Sequence, residues 1–454
     1  MTTSNASAVS AAFTPAELAR RTLQRRGVEA AIWGMPLVSV DAMRQASLRD
    51  AGAESGDIVY LSKPADWRFQ TATPNATSLY AYFNFNLANG PIVVEVPASV
   101  GAVLSGTFID AWETPLADAG ADGEDQGRGG SYLLLPPGDT PSLPDGHLPV
   151  RTRTVNGYAL FHAIPASSWP EDQAKAIDLV KALRVYPLAR ADKPPAQRHI
   201  DMSGLLFNGI ARFDDTFYDA LARMVHEEPV QTRDIVVMAQ LKSLGIEKGK
   251  AFKPDQATRD VLKGAAAEAH ALFMNSASGG QPYWPGSRWV SLTAAGPKTG
   301  FSFETGDRLD IDERAAMFFL ADAAPKNPGG THFNVGAFRD ATGNPFKGDD
   351  TYHLRIPGNG PARHSWTVTV YDLATGAFIR NTPRVAIDGG DRKLLKSGDG
   401  SIDVYFGPTA PVGKESNWIF TAPRKPWFAF FRFHGPEKTV FDRTWVLPNI
   451  ERAR

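Results

Sequence analysis

The sequence predicts an α+β protein, mostly β, in which two antiparallel β-sandwich domains are joined by a helical subdomain. Three observations carry this reading. Residues 58–190 and 331–454 hold short runs rich in β-branched and aromatic residues, bounded by Gly, Pro and Asn, which is the signature of turn-linked strands. Residues 191–330 change to helical spacing. At 454 residues, the chain also exceeds the roughly 250–300 residues that one core supports.

Taken in order, residues 1–57 read as N-terminal helices. Thr14, Pro15 and Glu17 supply a hydroxyl cap, a first-turn proline and a first-turn acid. This helix is expected to stop at Gly34–Met35–Pro36, with a second one over 37–48. Strands are expected over 78–86, 92–96, 106–112, 132–135, 148–153 and 157–162, the first two turning at Asn89–Gly90–Pro91. The stretch Asp118–Gly130, rich in Gly and acids, reads as a mobile solvated loop that lacks the spacing of a calcium loop. Helices follow over 169–183, 213–228, 232–244, 255–274 and 308–322. The second β block has strands at 352–356, 366–371, 402–406 and 427–433. In the last, Phe428, Phe430 and Phe431 mark the centre of a core, since each buried Phe contributes roughly 1.5–3 kcal/mol.

Composition limits the function classes. A net charge of −1 gives no concentrated basic face for nucleic acid or for an anionic membrane surface. There is no cysteine, so disulfides and thiolate chemistry are excluded. No run approaches the ~20 apolar residues of a membrane span, and the N-terminus lacks the order of a secretory signal; the expectation is a cytoplasmic protein. No P-loop, dinucleotide fingerprint, nucleophile elbow or zinc-protease motif occurs. Nine histidines are scattered without helical ligand spacing. No metal site and no cofactor is therefore evident, although a divalent metal held by His and carboxylates from separate strands is compatible with that scatter.

Several stretches resemble a known family. Pro74–Tyr80, Gly90–Pro97, Asp110–Trp112 and Tyr132–Gly138 resemble the module catalogued as domain of unknown function 1254. Trp366–Asp372, Asp399–Ser401, Asn417–Trp418, Arg432–Pro436 and Thr444–Pro448 resemble the module catalogued as domain of unknown function 1214. The resemblance implies paired sandwiches of jelly-roll type with a helical part between them, and relatives often labelled cell-envelope proteins. Where relatives tend to have Asn-x-Asp-Thr-x-Tyr, this chain has Thr77 at the acid's place, between Asn75 and Tyr80. No chemistry comes with the resemblance.

Candidate ligand-binding residues fall in two groups, and catalytic residues are not identified. In the C-terminal block, Asn417, Trp418, Asn381 and Arg384 sit on loops, while Arg432 lies on a strand and His434 just after it. Together they would line a cleft with a cation and amide donors suited to a carboxylate or sugar. The alternative is that Arg432 pairs with an acid such as Asp403 across the sheet and Trp418 caps the core. In the N-terminal block, Asn75, Tyr80, Asp110 and Trp112 stand out. Asp110 with Glu113 would be a desolvated carboxylate pair; alternatively Asp110 fixes a turn and Glu113 is solvated. The leading expectation is a small-molecule binder or enzyme. The other is a non-catalytic structural protein forming a homo-oligomer of the envelope-associated kind, with no nucleic-acid partner and no membrane span.

Overall fold

The computed structural model describes residues 13–138, 143–167, 169–291, 300–327 and 332–453. Each β block folds as two facing sheets. In the first, a six-stranded sheet orders His199–Asp201, Ile58–Tyr60, Leu79–Asn86, Asn156–Pro165, Ala102–Asp110 and Pro115–Gly120. It covers a four-stranded sheet of Arg184–Pro187, Ile92–Val96, Gly130–Leu135 and Leu148–Arg151. In the second, Trp289–Ser291, His332–Ala337, Trp427–Pro436, Ala362–Asp372 and Ala386–Asp388 form a five-stranded sheet. Its partner holds Trp418–Phe420, Ile402–Gly407, Tyr352–Ile356 and Glu451–Arg452. Pairing is mainly antiparallel, but Ile58–Tyr60 with His199–Asp201, Gly130–Leu135 with Leu148–Arg151, Ile402–Gly407 with Trp418–Phe420, and the separate ribbon Phe69–Gln70 with Phe207–Asn208 run parallel.

Period-two alternation decides what each sheet buries. Along Leu79–Asn86, Leu79, Ala81, Phe83 and Phe85 enter the first sandwich, whereas Tyr80 and Tyr82 point the other way into a second core. Along Trp427–Pro436, Trp427, Ala429, Phe431 and Phe433 fill the second sandwich, whereas Phe428 and Phe430 face that same second core. This shared core is built from the helices. It takes Trp33, Leu37 and Val40 from Pro15–Asp50, Leu221 and Val225 from Thr216–Glu227, and Leu262 and Phe273 from Gln256–Ala277. The outer faces of both large sheets therefore pack on one helical layer.

The expected helix break at Pro36 does not occur: Pro15–Asp50 is one helix with Pro36 inside it. An internal proline costs about 3 kcal/mol, but residues on both sides of it, from Ile32 to Val40, are buried, and their burial offsets that cost. Arg314 Nη2 donates to the Trp33 carbonyl at 2.7 Å, one residue beyond the carbonyl that Pro36 leaves without a helical donor. Gly34 allows close helix approach, since a Cβ there would lie 2.5 Å from Leu221 Cδ1. The stretch Asp118–Gly130 is also not a solvated loop. Asp125 accepts from the Gly120 and Gly129 N–H groups and the Tyr132 hydroxyl. Asp118 is buried and accepts from Thr107 Oγ1 and the backbone of Lys326 and Asn327, so charged groups become internal turn anchors.

Candidate functional site

The outer sheet faces do more than hold the helices. Past Phe428 and Phe430, the same face of Trp427–Pro436 carries Arg432 and then His434. His434 pairs in register with His332, and Arg432 with Asn334 and Thr367. On the first sandwich, Tyr80 pairs in register with His162, and His162 with Ser105. The two faces meet around a cavity of about 1340 Å3 lined by polar groups from both domains and by Phe69, Leu160, Phe301, Phe303 and Phe430. Tyr80 and His162 rings lie 4.6 Å apart, His162 and His332 6.4 Å, and His332 and His434 5.1 Å.

Residues 71–75 are the hub. The Ala72 N–H donates to Asp322 Oδ2 at 2.8 Å. Arg432 Nη2 donates to the Thr73 carbonyl at 2.6 Å, the Tyr371 hydroxyl to the Pro74 carbonyl at 2.7 Å, and the Asn75 N–H to the Tyr80 hydroxyl at 2.6 Å. Thr73 Oγ1 donates to the Leu320 carbonyl and its N–H to the Gly376 carbonyl. Consecutive peptide groups are thus each held by a different part of the fold. Thr73 has φ +40°, a left-handed conformation that a β-branched residue adopts only under constraint. Such constraint costs of order 1–3 kcal/mol and clusters at functional sites.

The electrostatics are unusual. Arg432 is 5% exposed, and its partners are the neutral Tyr371 Oη, Thr369 Oγ1 and Thr73 O. Among the described residues no carboxylate stands within ion-pair distance of it. Burial, then neighbouring cationic and imidazole groups, push His162 down to about 3 and His434 to about 3. Burial likewise lowers His332 to about 4, although Asp122 pulls the other way. All three imidazoles are therefore neutral at pH 7, each offering one donor and one acceptor. Asp322, on the cavity wall and 6% exposed, is pushed up to about 7 by burial. Among the described residues no group of three or more His, Asp or Glu side chains is disposed to hold a metal ion.

A second polar cluster lies behind the cavity, among the helices. Trp33 and Trp112 rings lie edge to face at 4.8 Å, with the Arg314 guanidinium over Trp112. Glu113 is 1% exposed at φ +59°, and its carboxylate oxygens make no well-formed hydrogen bond among the described residues, with the Ser39 hydroxyl the side chain that favours its charged form. Trp112 Nε1, Arg314 Nε and Tyr158 Oη are buried and likewise unbonded. Burial, and next the Asp322 charge, hold the Glu113 carboxyl well above its ordinary value.

These positions sort the sequence candidates. Arg432, Asn75 and Tyr80 line the cavity, with His434 beside His332 at its edge. Asp110 and Trp112 belong to the buried cluster. Asp110 accepts from the Trp112 and Thr114 N–H groups and so fixes the turn, yet its burial also pushes it up to about 6; Glu113 is not solvated. The expected gathering of Asn417, Trp418, Asn381 and Arg384 round Arg432 and His434 does not form. Asn417 spends its amide on Leu395 and Asp403 backbone groups, and Trp418 Nε1 bonds the Gly407 carbonyl. Asn381 takes a left-handed turn at φ +58°, and Arg384 bonds the Ser416 carbonyl. Asn417 and Trp418 tie down the edge of the four-stranded sheet, and Asn381 and Arg384 shape the connection between Ala362–Asp372 and Ala386–Asp388, whereas strand alternation turns Arg432 and His434 onto the outer face of the five-stranded sheet. Arg432 does not pair with Asp403 either: Asp403 faces Arg355 in register and bonds His353 at 2.9 Å. Sequence reasoning missed Thr73, Asp322 and Tyr371 as site residues. The period-two phase of Trp366–Asp372 and Trp427–Pro436 would have put Tyr371 on the Arg432 face; nothing local marks Asp322.

Comparisons agree with this architecture. The family described as "Protein of unknown function (DUF1254)" matches residues 57–187, and "Protein of unknown function (DUF1214)" matches residues 332–438. No curated protein matches the chain. The crystal structure of the VPA0106 protein from Vibrio parahaemolyticus is similar with a TM-score of 0.55 at 16% identity, covering 95% of this chain and all of that one (100%). An uncharacterized protein from Burkholderia cenocepacia aligns with a TM-score of 0.43 at 13% identity, over 96% and 95% of the two chains. The first likeness extends over the full two-sandwich plan. No helix among the described residues is long and apolar enough to cross a membrane. The two family matches take in just over half of the chain, in this order, and the chain belongs to the family of proteins that pair a DUF1254 domain with a DUF1214 domain.

Proposed function

We propose that the interdomain cavity binds a small organic carboxylate, with Arg432 as its anchor. The observation that carries this reading is a guanidinium buried in the cavity wall without an acid among the described residues to neutralise it. A buried charge costs several kcal/mol unless it is paired. Arg432 has five N–H donors, and the three bonds named above leave two for a ligand. A planar carboxylate matches that fork. Neutral His162, His332 and His434 add polar contacts without competing charge, and the apolar walls suit the rest of a small organic acid. Titration calorimetry against a panel of mono- and dicarboxylates tests the reading. Binding is expected, and Arg432→Gln is expected to weaken it by roughly 10- to 100-fold, as loss of a charge-assisted hydrogen bond does. Failure of every carboxylate to bind would sink it.

A second reading, self-association, is favoured by one observation. The helix Ile235–Lys242 buries only Leu241, and it leaves Ile235 59% and Val236 70% exposed. If this face joins two copies, light scattering at micromolar concentration will show a dimer that Val236→Asp converts to monomer. A monomeric wild type would end this reading.

A further inference from the structure

The cavity holds, besides its anchor, groups suited to proton transfer, and their placement is shared. Asp322, Arg432 and the Tyr80 hydroxyl grip the Ala72 N–H, the Thr73 carbonyl and the Asn75 N–H, within four consecutive residues. A carboxylate seated on Arg432 would thus share one cavity with Asp322 and Tyr80. We propose that Asp322 is the proton acceptor in the reversible enolisation of a 2-oxo carboxylate held by Arg432, with the Tyr80 O–H donating a hydrogen bond to the oxygen on which the enolate charge develops. The inference rests on the carboxylate reading above.

The step balances without any co-reactant. The carboxylate of Asp322 takes the proton from the carbon next to the carbonyl. The electrons of that C–H bond form the new C=C bond, and the carbonyl pair moves onto oxygen. Tyr80 donates its hydrogen bond to that oxygen. Its own oxygen accepts from the Asn75 N–H, while no acceptor is assigned to its proton among the described residues. Reversal returns a proton from Asp322 to carbon, exchanged with solvent on the way.

Two physical features suit these roles. Burial raises Asp322 to about 7, near the pH at which a general base is most effective. Burial also raises the Tyr80 hydroxyl, despite the Asn75 hydrogen bond and the Arg432 charge, so it stays a neutral donor. The ionisable groups that feel the Asp322 charge are Tyr80, Tyr82, Tyr158 and Glu113. Burial, and next the Asp322 charge, hold the Glu113 carboxyl well above its ordinary value, so the charged forms of these two acids oppose each other.

The test uses the full chain with 2-oxobutyrate in deuterated buffer, following loss of the C3 proton signal by NMR, with affinity measured in parallel by calorimetry. Exchange is expected to run well above the buffer rate and to rise with pH through about 7. Asp322→Asn is expected to cut it about 100-fold or more with affinity changed only a few-fold, and Asp322→Glu to restore part of it. Tyr80→Phe should slow exchange while keeping affinity, which reads the hydrogen-bond donor separately from the base. Binding by the wild type with exchange no faster than buffer would overturn the assignment of Asp322 but leave the carboxylate reading standing. Undiminished exchange in Asp322→Asn would do the same. No binding of 2-oxobutyrate, with other carboxylates bound, would overturn the substrate class, and no binding of any carboxylate would remove the reading beneath it.

Discussion

Phe431→Ala will lower the unfolding free energy by about 3–5 kcal/mol, the range for truncating a fully buried aromatic. Phe431 is 0% exposed at the middle of the central strand Trp427–Pro436. Its ring meets Trp366 at 5.4 Å and Phe433 at 4.8 Å, with Trp289 at 6.3 Å and Trp445 at 6.4 Å. Four large rings surround the lost volume, and those of Trp366, Trp289 and Phe433 are held on paired strands of one sheet, so they cannot close over it and the cavity term is paid nearly in full. Since whole domains are stable by only about 5–15 kcal/mol, this single change removes a large share. Urea unfolding should show a lower midpoint at unchanged slope. A loss below about 1 kcal/mol would mean that Phe431 is not the keystone of the second sandwich.

Asp322→Asn will stabilise the fold in a pH-dependent way, with little effect near pH 4 and up to about 4 kcal/mol of gain above pH 7. Asp322 ionises at an ordinary value of 3.8 in the unfolded chain but near 7 in the folded one. Between those values the folded state binds the extra proton, so wild-type stability is fully present below about 4 and is lost as pH rises to 7. Asn cannot ionise, yet its carbonyl can still accept from the Ala72 N–H. The three histidines work in the opposite direction. Their folded values near 3 to 4 lie below 6.5, so the stability they contribute is present above 6.5 and is lost as pH falls. In the wild type the two trends partly cancel, and the variant should therefore show the steeper acid limb. Thermal melts from pH 4 to 8 measure this. A variant that tracks the wild type at every pH would show that Asp322 is not held protonated.

Much of the architecture is written locally. The alternating runs of 79–86 and 427–433 mark strands, and their phase separates Phe431 from Phe430. The helix at 15–50 shows where local rules lose: Pro36 signals a stop, but burial on both sides outweighs it. The site was half legible for a related reason. Arg432, Asn75 and Tyr80 stand out as polar residues beside apolar strands. Their grouping with Asp322 and Thr73 depends on which sheet face meets which, a long-range fact that spacing along the chain does not encode. Asn417 and Trp418 misled because an amide and an indole on loops look the same whether they bind a ligand or tie down the backbone.

The segment 71–75 also bears on how such a protein can change over generations. It leaves the first sandwich, yet it is gripped by Arg432, Tyr371 and Gly376 of the second and by Asp322 and Leu320 of the helical part. Neither sandwich alone contains the cavity. Separating the two modules would open both the chamber and the core that their large sheets share, and a chain that swapped one half for a distant copy would have to rebuild five residues of backbone fit. Five residues of backbone thus tie the two modules to one chamber.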